Sequence, residues 1–458
     1  MASADRDDPG QQSATQVAVE EPAGRSGDDA AIAATTPDLI ADSLGEYVRI
    51  WFRRVRSGES GVLPVVIGLI AIVIYVQVRS PLFLSAGNLV NLITQAAFIV
   101  TFGMAEVFVL LLGEIDLSVG YNAALGAVVT LWILSGAHPP PWWVGVLGGL
   151  AFCAAYAGLE GLIITWLRLP SFVVTLAGYL GGFGLLLALI DMAAPNSGGT
   201  IRMTSSVLNA IEGGSMNPTA SWIVMIASVA VAGAFISFRD INRRRHKLAA
   251  PPMTVTILKI AAMAVAGVVL VVISNTNRGV GFSVVEGVPW VVLVIIGLLV
   301  VWTVLLNRTR FGRYVYAIGG NAEAARRAGV NLSRIRIAAF MLCGLTAGVS
   351  GIIYASNLSG MSSNFQGGQY VLYAVAAAVI GGTSLFGGRG RMLGAVLGGL
   401  VVGVIYNGLQ LLGLGPAAQN IWTAGVLLAA VTIDAFARSG QSGLASRLIL
   451  RLFRAGAN

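Results

Sequence analysis

Charged residues are scarce in this sequence. They make up 11% of its 458 residues, whereas hydrophobic residues make up 56%. A soluble fold cannot bury that much apolar surface, but a lipid bilayer solvates it. The composition therefore predicts a membrane protein.

Lysine is almost absent, and the motifs of several enzyme classes are missing as well. Lysine occurs only as Lys247 and Lys259, and neither follows glycine and precedes serine or threonine, so the chain has no Walker A loop. It also has no HExxH zinc helix and no GxSxG nucleophile elbow. We therefore predict no catalytic residues and no ATP site on this chain.

Cysteine and histidine are equally rare. Cys153 and Cys343 both fall in apolar segments, which predicts neither a disulfide framework nor a metal site. His138 and His246 are far apart in sequence, so no metal ligation is predicted. The formal net charge of +8 is spread between apolar segments, which indicates membrane topology and not nucleic-acid binding.

Apolar runs long enough to cross a bilayer recur along most of the chain. A spanning helix needs about 20 apolar residues, and 58 glycines favour closely packed membrane helices. We predict an all-α polytopic membrane protein with about 12 transmembrane helices. The predicted spans are 61–79, 89–112, 119–137, 142–166, 171–190, 220–238, 254–274, 288–306, 336–355, 370–386, 392–413 and 420–437.

The chain divides into three parts by composition. Residues 1–45 are acidic and have no long apolar run, which predicts a disordered cytosolic tail without a signal peptide. Residues 46–437 form the predicted transmembrane domain, and 438–458 form a basic cytosolic tail.

The basic residues favour one topology. If both termini are cytosolic, the predicted outside loops contain only Arg79, Arg202 and Arg278, and basic clusters such as RDINRRRHK (239–247) lie inside. Positive charge accumulates on the cytosolic side of membrane proteins. We therefore predict that the N and C termini are cytosolic.

Two segments of the chain resemble each other weakly, as the halves of an internal repeat would. GEIDLSVG (113–120) precedes LGAV (125–128), and GGTSLFGG (381–388) precedes LGAV (393–396). The shared residue types are common in this sequence, so the pattern leaves both a true duplication and a coincidence open.

The predicted cytosolic loop 308–336 contains the sequence AEAARRAG, which predicts a short helix that begins after Asn321 and ends near Gly329. Such a helix could dock into a groove on a partner protein or lie on anionic lipid headgroups. The residues alone leave both interpretations open.

Four carboxyl groups fall in or between apolar segments. Glu106 and Glu160 lie within predicted spans and should face the protein interior, because a charge is costly in lipid. Glu114 and Asp116 lie between spans, where Asp116 could cap the next helix or line a transport route.

Four segments together resemble bacterial sugar ABC-transporter permeases of the ribose/xylose/galactose branch, and xylose-type permeases most. They are EIDLSVG (114–120), RLPSFVVTLAG (168–178), YAIGGNAEAARRAGV (316–330) and VIGGTSLFGG (379–388). The resemblance extends from about residue 60 to 437. Glu160 departs from it, since related permeases carry Asn there, and so does the basic insertion Arg389-Gly390-Arg391.

The resemblance implies a set of partners in the cytoplasmic membrane. The chain would pair with a second permease copy, with a cytosolic ATPase that holds ATP and Mg²⁺, and with an extracytoplasmic sugar-binding protein. It would bind no cofactor or metal itself. The coupling helix would comprise Gly319, Gly320, Asn321, Glu323, Ala324, Ala325, Arg326, Arg327 and Gly329.

Three functions compete at this point. The leading prediction is ATP-dependent import of a monosaccharide, with xylose or a similar pentose favoured, by alternating access. A neutral sugar requires mainly amide and hydroxyl groups along its route. The candidate residues for that route are Asn91, Gln95, Glu106, Glu114, Asp116, Ser118, Glu160, Asn407 and Gln410. A proton-coupled carrier that uses Glu106, Asp116 or Glu160 is the alternative, and a receptor or scaffold is the third possibility.

Overall fold

The computed structural model describes residues 63–246, 248, 250–279 and 284–415, with scattered residues at 45–49 and 417–432. Nearly all of the predicted tails 1–45 and 438–458, and about half of the predicted span 420–437, lie outside the described residues.

The described residues form helices along almost their whole length. In chain order the elements are α1 (Leu63–Arg79), α2 (Ala86–Leu110), α3 (Val119–Ile133), α4 (Trp142–Trp166), α5 (Ser171–Ala193), β1 (Thr200–Arg202), α6 (Ser206–Gly213), α7 (Pro218–Arg245), α8 (Met253–Ser274), α9 (Val291–Arg308), α10 (Arg310–Gly320), α11 (Ala322–Arg327), α12 (Leu332–Asn357), β2 (Gly360–Ser362), α13 (Gly367–Ile380) and α14 (Met392–Leu411).

Eleven of the predicted spans correspond to helices. Among the described residues, α2, α4, α5, α7, α8, α9, α12 and α14 are long and apolar enough to cross a membrane, and α1, α3 and α13 are shorter apolar helices. The mostly helical, polytopic fold is therefore confirmed. The predicted total of 12 and the predicted orientation of the termini stay predictions.

The structure also differs from the prediction in three places. The predicted span 370–386 ends at Ile380, because Gly382 takes a left-handed conformation (φ +87°) that stops the helix. Helices α6 and α10 were not predicted. The fold is also not purely helical, since β1 pairs antiparallel with β2, with Ile201 opposite Met361.

Local sequence explains several helix starts. Ser85, Ser205, Thr309, Asn321 and Asn331 each precede a helix, and each accepts a hydrogen bond from a backbone N–H of its first turn. This arrangement satisfies one of the N–H groups that a helix start leaves without a partner. Short polar residues therefore set the beginnings of α2, α6, α10, α11 and α12.

Helices α2 and α12 lie in the middle of the larger of two compact units, which comprises 53–233 and 260–458. Every residue of α2 from Ala96 to Leu110 is buried, and α12 packs against α2, α3 and α4. Gly351 of α12 touches the backbone of α3 so closely that a Cβ there would collide with the Ala123 carbonyl oxygen. Close helix approach through glycine is typical of membrane proteins.

The smaller unit comprises 1–52 and 234–259, and its described part is mainly the end of α7 and the start of α8. Within it, Asp240 is buried and accepts hydrogen bonds from Thr256 at 2.8 Å and from Arg239 at 2.9 Å. The Thr256 bond joins the end of α7 to the start of α8, whereas the Arg239 bond lies within α7.

Candidate functional site

The α10–α11 segment (Arg310–Arg327) stands between α9 and α12 and contains most of the predicted coupling residues. Asn321 separates the two helices, and its Oδ1 accepts a hydrogen bond from the Ala324 N–H at 2.9 Å. Gly329 then takes a left-handed conformation (φ +84°), and α11 ends shortly before it. The short helix predicted in AEAARRAG is therefore confirmed.

The α11 helix presents its charged side chains to the exterior. Glu323 is paired with Arg326 at 2.8 Å and with Arg327 at 3.0 Å, and all three side chains are at least half exposed. Hydrogen bonds from the two arginines lower the pKa of Glu323 to about 2. Ala325 is buried on the opposite side, so this helix has one face on the bundle and one face open to a partner.

The end of α10 lies directly against two glycine-containing loops, which we call the junction. A Cβ at Gly319 would collide with the carbonyl oxygen of Leu111 at the end of α2 and with the N–H of Gly388. Gly388 donates a hydrogen bond to the same Leu111 oxygen at 2.9 Å. The two repeat-like segments, GEIDLSVG and GGTSLFGG, therefore come together beside Gly319, while Gly320 has open space around its Cα.

An ion pair adds a second connection to the GEIDLSVG segment. Arg336, in the second turn of α12, donates to Glu114 Oε1 at 2.8 Å, and both side chains are mostly buried. Glu114 thus contacts the helix that directly follows α11. The pairing of Glu114 with Arg336 is not predictable from the sequence, because the two residues are over 200 positions apart.

Three of the predicted carboxyl residues meet in a buried cluster. Ser118 Oγ lies 2.7 Å from Asp116 Oδ1 and 2.9 Å from Glu160 Oε2, and Glu106 Oε1 accepts a hydrogen bond from the Asp116 N–H at 3.2 Å. Glu106, Asp116 and Ser118 are 0% exposed and Glu160 is 5% exposed. Both glutamates face the interior, as their cost in lipid requires.

The number of hydrogen atoms that this cluster can share limits which of its hydrogen bonds exist together. The Ser118 hydroxyl has one hydrogen and cannot donate to both carboxylates. The Asp116–Ser118–Glu160 chain is therefore complete only when one carboxyl carries a proton. The Asp116 carboxylate also accepts from the N–H of Ser118, the residue that precedes α3, at 2.8 Å, so Asp116 binds the backbone at the start of this helix.

The predicted amides form a ladder between α2 and α14. Asn407 Nδ2 donates to Gln95 Oε1 at 3.1 Å, and Gln95 Nε2 donates to Asn91 Oδ1 at 3.3 Å. Asn88, which was not predicted, exchanges two hydrogen bonds with Asn407. Gln410 is not in this ladder; it is exposed near the end of α14 and lines a polar cavity.

Comparison with known proteins places the chain in a family. The family model described as "Branched-chain amino acid transport system / permease component" matches residues 88–433. The xylose transport system permease protein XylH of Haemophilus influenzae is 32% identical over 358 residues, which cover 77% of this chain and 90% of that protein. No solved structure matches the chain significantly.

Two further relatives are also named as sugar permeases. XylH of Escherichia coli K12 is 32% identical over 391 residues, covering 84% of this chain and 94% of its own length. The ribose import permease protein RbsC of Bacillus subtilis is 31% identical over 371 residues, covering 80% and 91%. These matches and the apolar helices identify a multi-pass protein of the cytoplasmic membrane, which belongs to the family of transport-system permease components described above.

Proposed function

We propose that this chain is the permease subunit of an ATP-binding-cassette importer that moves a neutral monosaccharide by alternating access. The observation that supports this most directly is the α11 helix, which is capped, exposes three charged side chains and directly follows α10, whose end lies against the junction. A separate cytosolic ATPase would dock there, with ATP and Mg²⁺ bound on that partner.

The named relatives support the substrate class that we propose. The family description mentions branched-chain amino acids, whereas the similar proteins cited above are named for xylose and ribose. The same similarity supports an extracytoplasmic sugar-binding protein as a partner, and we further propose a second permease copy, in the form of a homodimer. A pentose, with xylose favoured, is the substrate we propose.

The proposed coupling residues form an exposed group and an inward-facing group. Asn321, Glu323, Ala324, Arg326 and Arg327 are exposed and would contact the ATPase. Two others face inward, Gly319 at the junction and Ala325 against the bundle. Movement of the docked helix would therefore be passed through Gly319 to the end of α2 and to the loop between α13 and α14.

The candidate residues for the substrate route also form groups with different surroundings. Glu106, Asp116, Ser118 and Glu160 bind one another in the interior, which supports a structural role for them. The ladder amides hold α2 against α14, although Asn91 keeps an exposed side chain. Gln410, beside the polar cavity, is the candidate that best fits direct contact with a sugar.

The test is uptake of radiolabelled D-xylose and D-ribose into proteoliposomes that contain the permease, the ATPase and the binding protein. We expect uptake only with ATP, and none with an ATPase that binds but does not hydrolyse it. Uptake that is unchanged with the hydrolysis-deficient ATPase would reject the importer.

A proton-coupled carrier is the second candidate, because the three residues proposed for its relay do meet in one cluster. All three carboxyl groups are nearly inaccessible, however, and a relay needs access to water on both sides. Arg326→Glu separates the two functions. In an importer, ATP-driven uptake should fall at least about tenfold, because the substitution reverses a charge at the docked interface. Uptake by a carrier should be unaffected. Arg245→Glu, at the exposed end of α7, is the matched control.

A further inference from the structure

An open cavity of about 470 Å³ lies at the start of α13 and the end of α14. This volume is in the range of small-molecule sites in proteins. Four amide side chains line it, those of Asn364, Gln366, Gln369 and Gln410, and none of the described residues around it is charged. The cavity is thus polar but neutral.

Aromatic rings form another part of the cavity and are held firmly. Tyr354, Tyr370 and Tyr406 line it. Tyr354 packs edge-on against Tyr370 with ring centroids 5.3 Å apart, and Phe98 of α2 packs edge-on against Tyr370 at 5.5 Å. Such edge-to-face packing fixes ring positions. The wall is therefore largely preformed, which lowers the entropy cost of binding.

One amide is also held in place. Gln369 uses its NH₂ group to donate to the Tyr373 hydroxyl at 2.6 Å and to Asn420 Oδ1 at 3.2 Å. Its carbonyl oxygen accepts no hydrogen bond from the described residues. An acceptor in a fixed position is therefore available to a ligand.

We propose that this cavity binds a neutral polyhydroxylated ligand, a monosaccharide, on its way into the transporter; the proposal rests on the proposed function. Amides donate and accept hydrogen bonds, and so do sugar hydroxyls, so the two match without any charge. A free amino acid carries an ammonium and a carboxylate, whose desolvation requires charged partners that the described lining lacks. The cavity therefore favours sugars over the amino acids named in the family description.

The position of the cavity fits the entrance side of an importer. α12 starts just after α11 and has 26 residues, so its ends are about 39 Å apart. Tyr354, in the last turn of α12, lines the cavity, whereas the docking helix α11 adjoins the first turn. The ligand and the ATPase thus act at opposite ends of one helix, and the cavity faces the side where a binding protein would release sugar.

The test measures equilibrium binding of tritiated D-xylose and D-ribose to the purified permease–ATPase complex in lipid nanodiscs, without the binding protein. Gln410→Ala and Asn364→Ala each remove one amide, and we expect each to raise the half-saturating sugar concentration about three- to tenfold. Gln77→Ala is the matched control, since Gln77 lies near the end of α1, outside the cavity lining, and its amide bonds to Pro81 and Leu84 in the connection to α2.

Each outcome decides the proposal. Binding by the two cavity variants that equals that of Gln77→Ala would overturn it, and so would the absence of saturable sugar binding to the unaltered complex. If leucine competed with the tritiated sugar for binding, and this competition disappeared in the same two variants, the assignment of a sugar as the ligand would be overturned. ATP-driven uptake by the complete system is measured in parallel. If sugar is taken up and the cavity variants do not change that uptake, only the cavity proposal is rejected. If no sugar is taken up, the proposed function is rejected.

Discussion

Ser118 connects two buried carboxyl groups through one hydroxyl, at 2.7 Å from Asp116 and 2.9 Å from Glu160. Ser118→Ala would leave both carboxyls with fewer donors in a buried site. We expect the free energy of unfolding to fall by about 1–3 kcal/mol, because buried polar groups lose their partner. Denaturant unfolding in detergent measures it.

The control for this substitution is Ser135→Ala. Ser135 is exposed and its hydroxyl donates only to the Trp132 carbonyl, so its loss should change stability by about 0.5 kcal/mol or less. Equal stabilities of the two variants would show that the Asp116–Ser118–Glu160 chain does not stabilise the fold.

Glu212 of α6 is a titratable group in a connecting helix. It is 7% exposed, and burial raises its pKa to about 8, only partly offset by the nearby Asn357 amide. The folded protein therefore keeps a proton that the unfolded chain releases above its ordinary pKa of 4.5. Stability should fall as the pH rises from about 4.5 to about 8, by on the order of a few kcal/mol.

Glu212→Gln should remove this pH dependence, because glutamine has no proton to lose. We expect the melting temperature of the variant to exceed that of the unaltered protein at pH 8 and to approach it near pH 5. A difference that stays constant over this range would mean that Glu212 titrates normally. Glu286→Gln, in another connecting segment and more exposed, is the control.

Among the helices and loops, Gly319 joins the end of α10 to the end of α2 and to the loop between α13 and α14. A methyl group at Gly319 would collide with backbone atoms of Leu111 and Gly388, which cannot rotate away. We expect Gly319→Ala to destabilise the protein by about 1–3 kcal/mol through overpacking. Coupling of ATP hydrolysis to uptake should fall with it.

Gly297→Ala is the control for this prediction, because Gly297 lies in α9 with open space around it. Alanine there should be neutral or slightly stabilising, since it favours helix. If Gly319→Ala retained both the stability and the ATP hydrolysed per sugar of Gly297→Ala, the junction would have no part in coupling.

Sequence alone located most helices, because a long apolar run is a local property. The span 142–166 matches α4 residue for residue, and the short α11 was predicted from its cap and its closing glycine. α10 was missed, since RFGRYVYAIGG combines two charges, three glycines and two tyrosines. The early end of α13 at Ile380 depends on a backbone angle at Gly382 that apolarity does not indicate.

Side-chain partners could be predicted far less well. Glu106, Asp116, Ser118 and Glu160 were each selected as candidates, but their contact with one another depends on the packing of α2 and α4 around α3. The Glu114–Arg336 pair likewise joins residues that only the fold brings together. Polarity in an apolar run therefore identified buried polar residues without showing which ones bind each other.

For the whole molecule, α13 connects the two functional ends. Gln369, in its first turn, lines the cavity, and the loop after its last turn reaches the junction beside Gly319. The 14 residues of α13 span about 21 Å. A displacement of the docked α11 helix would thus reach the sugar cavity through α10, the junction and α13, which fits alternating access between opposite sides.

That arrangement requires α11 and the cavity to lie on opposite sides of the membrane, and cysteine labelling tests it. Cys153 and Cys343 are both fully buried, so the unaltered protein should react little with a membrane-impermeant maleimide. Ala328→Cys places an exposed thiol just after α11, and Asn364→Cys places one at the cavity. In intact cells whose outer barrier is permeable to the reagent, we expect labelling of the second thiol and not of the first. Labelling of the first should appear only after the cytoplasmic membrane is opened. The reverse pattern would place the charged helix outside, beyond the reach of any cytosolic ATPase.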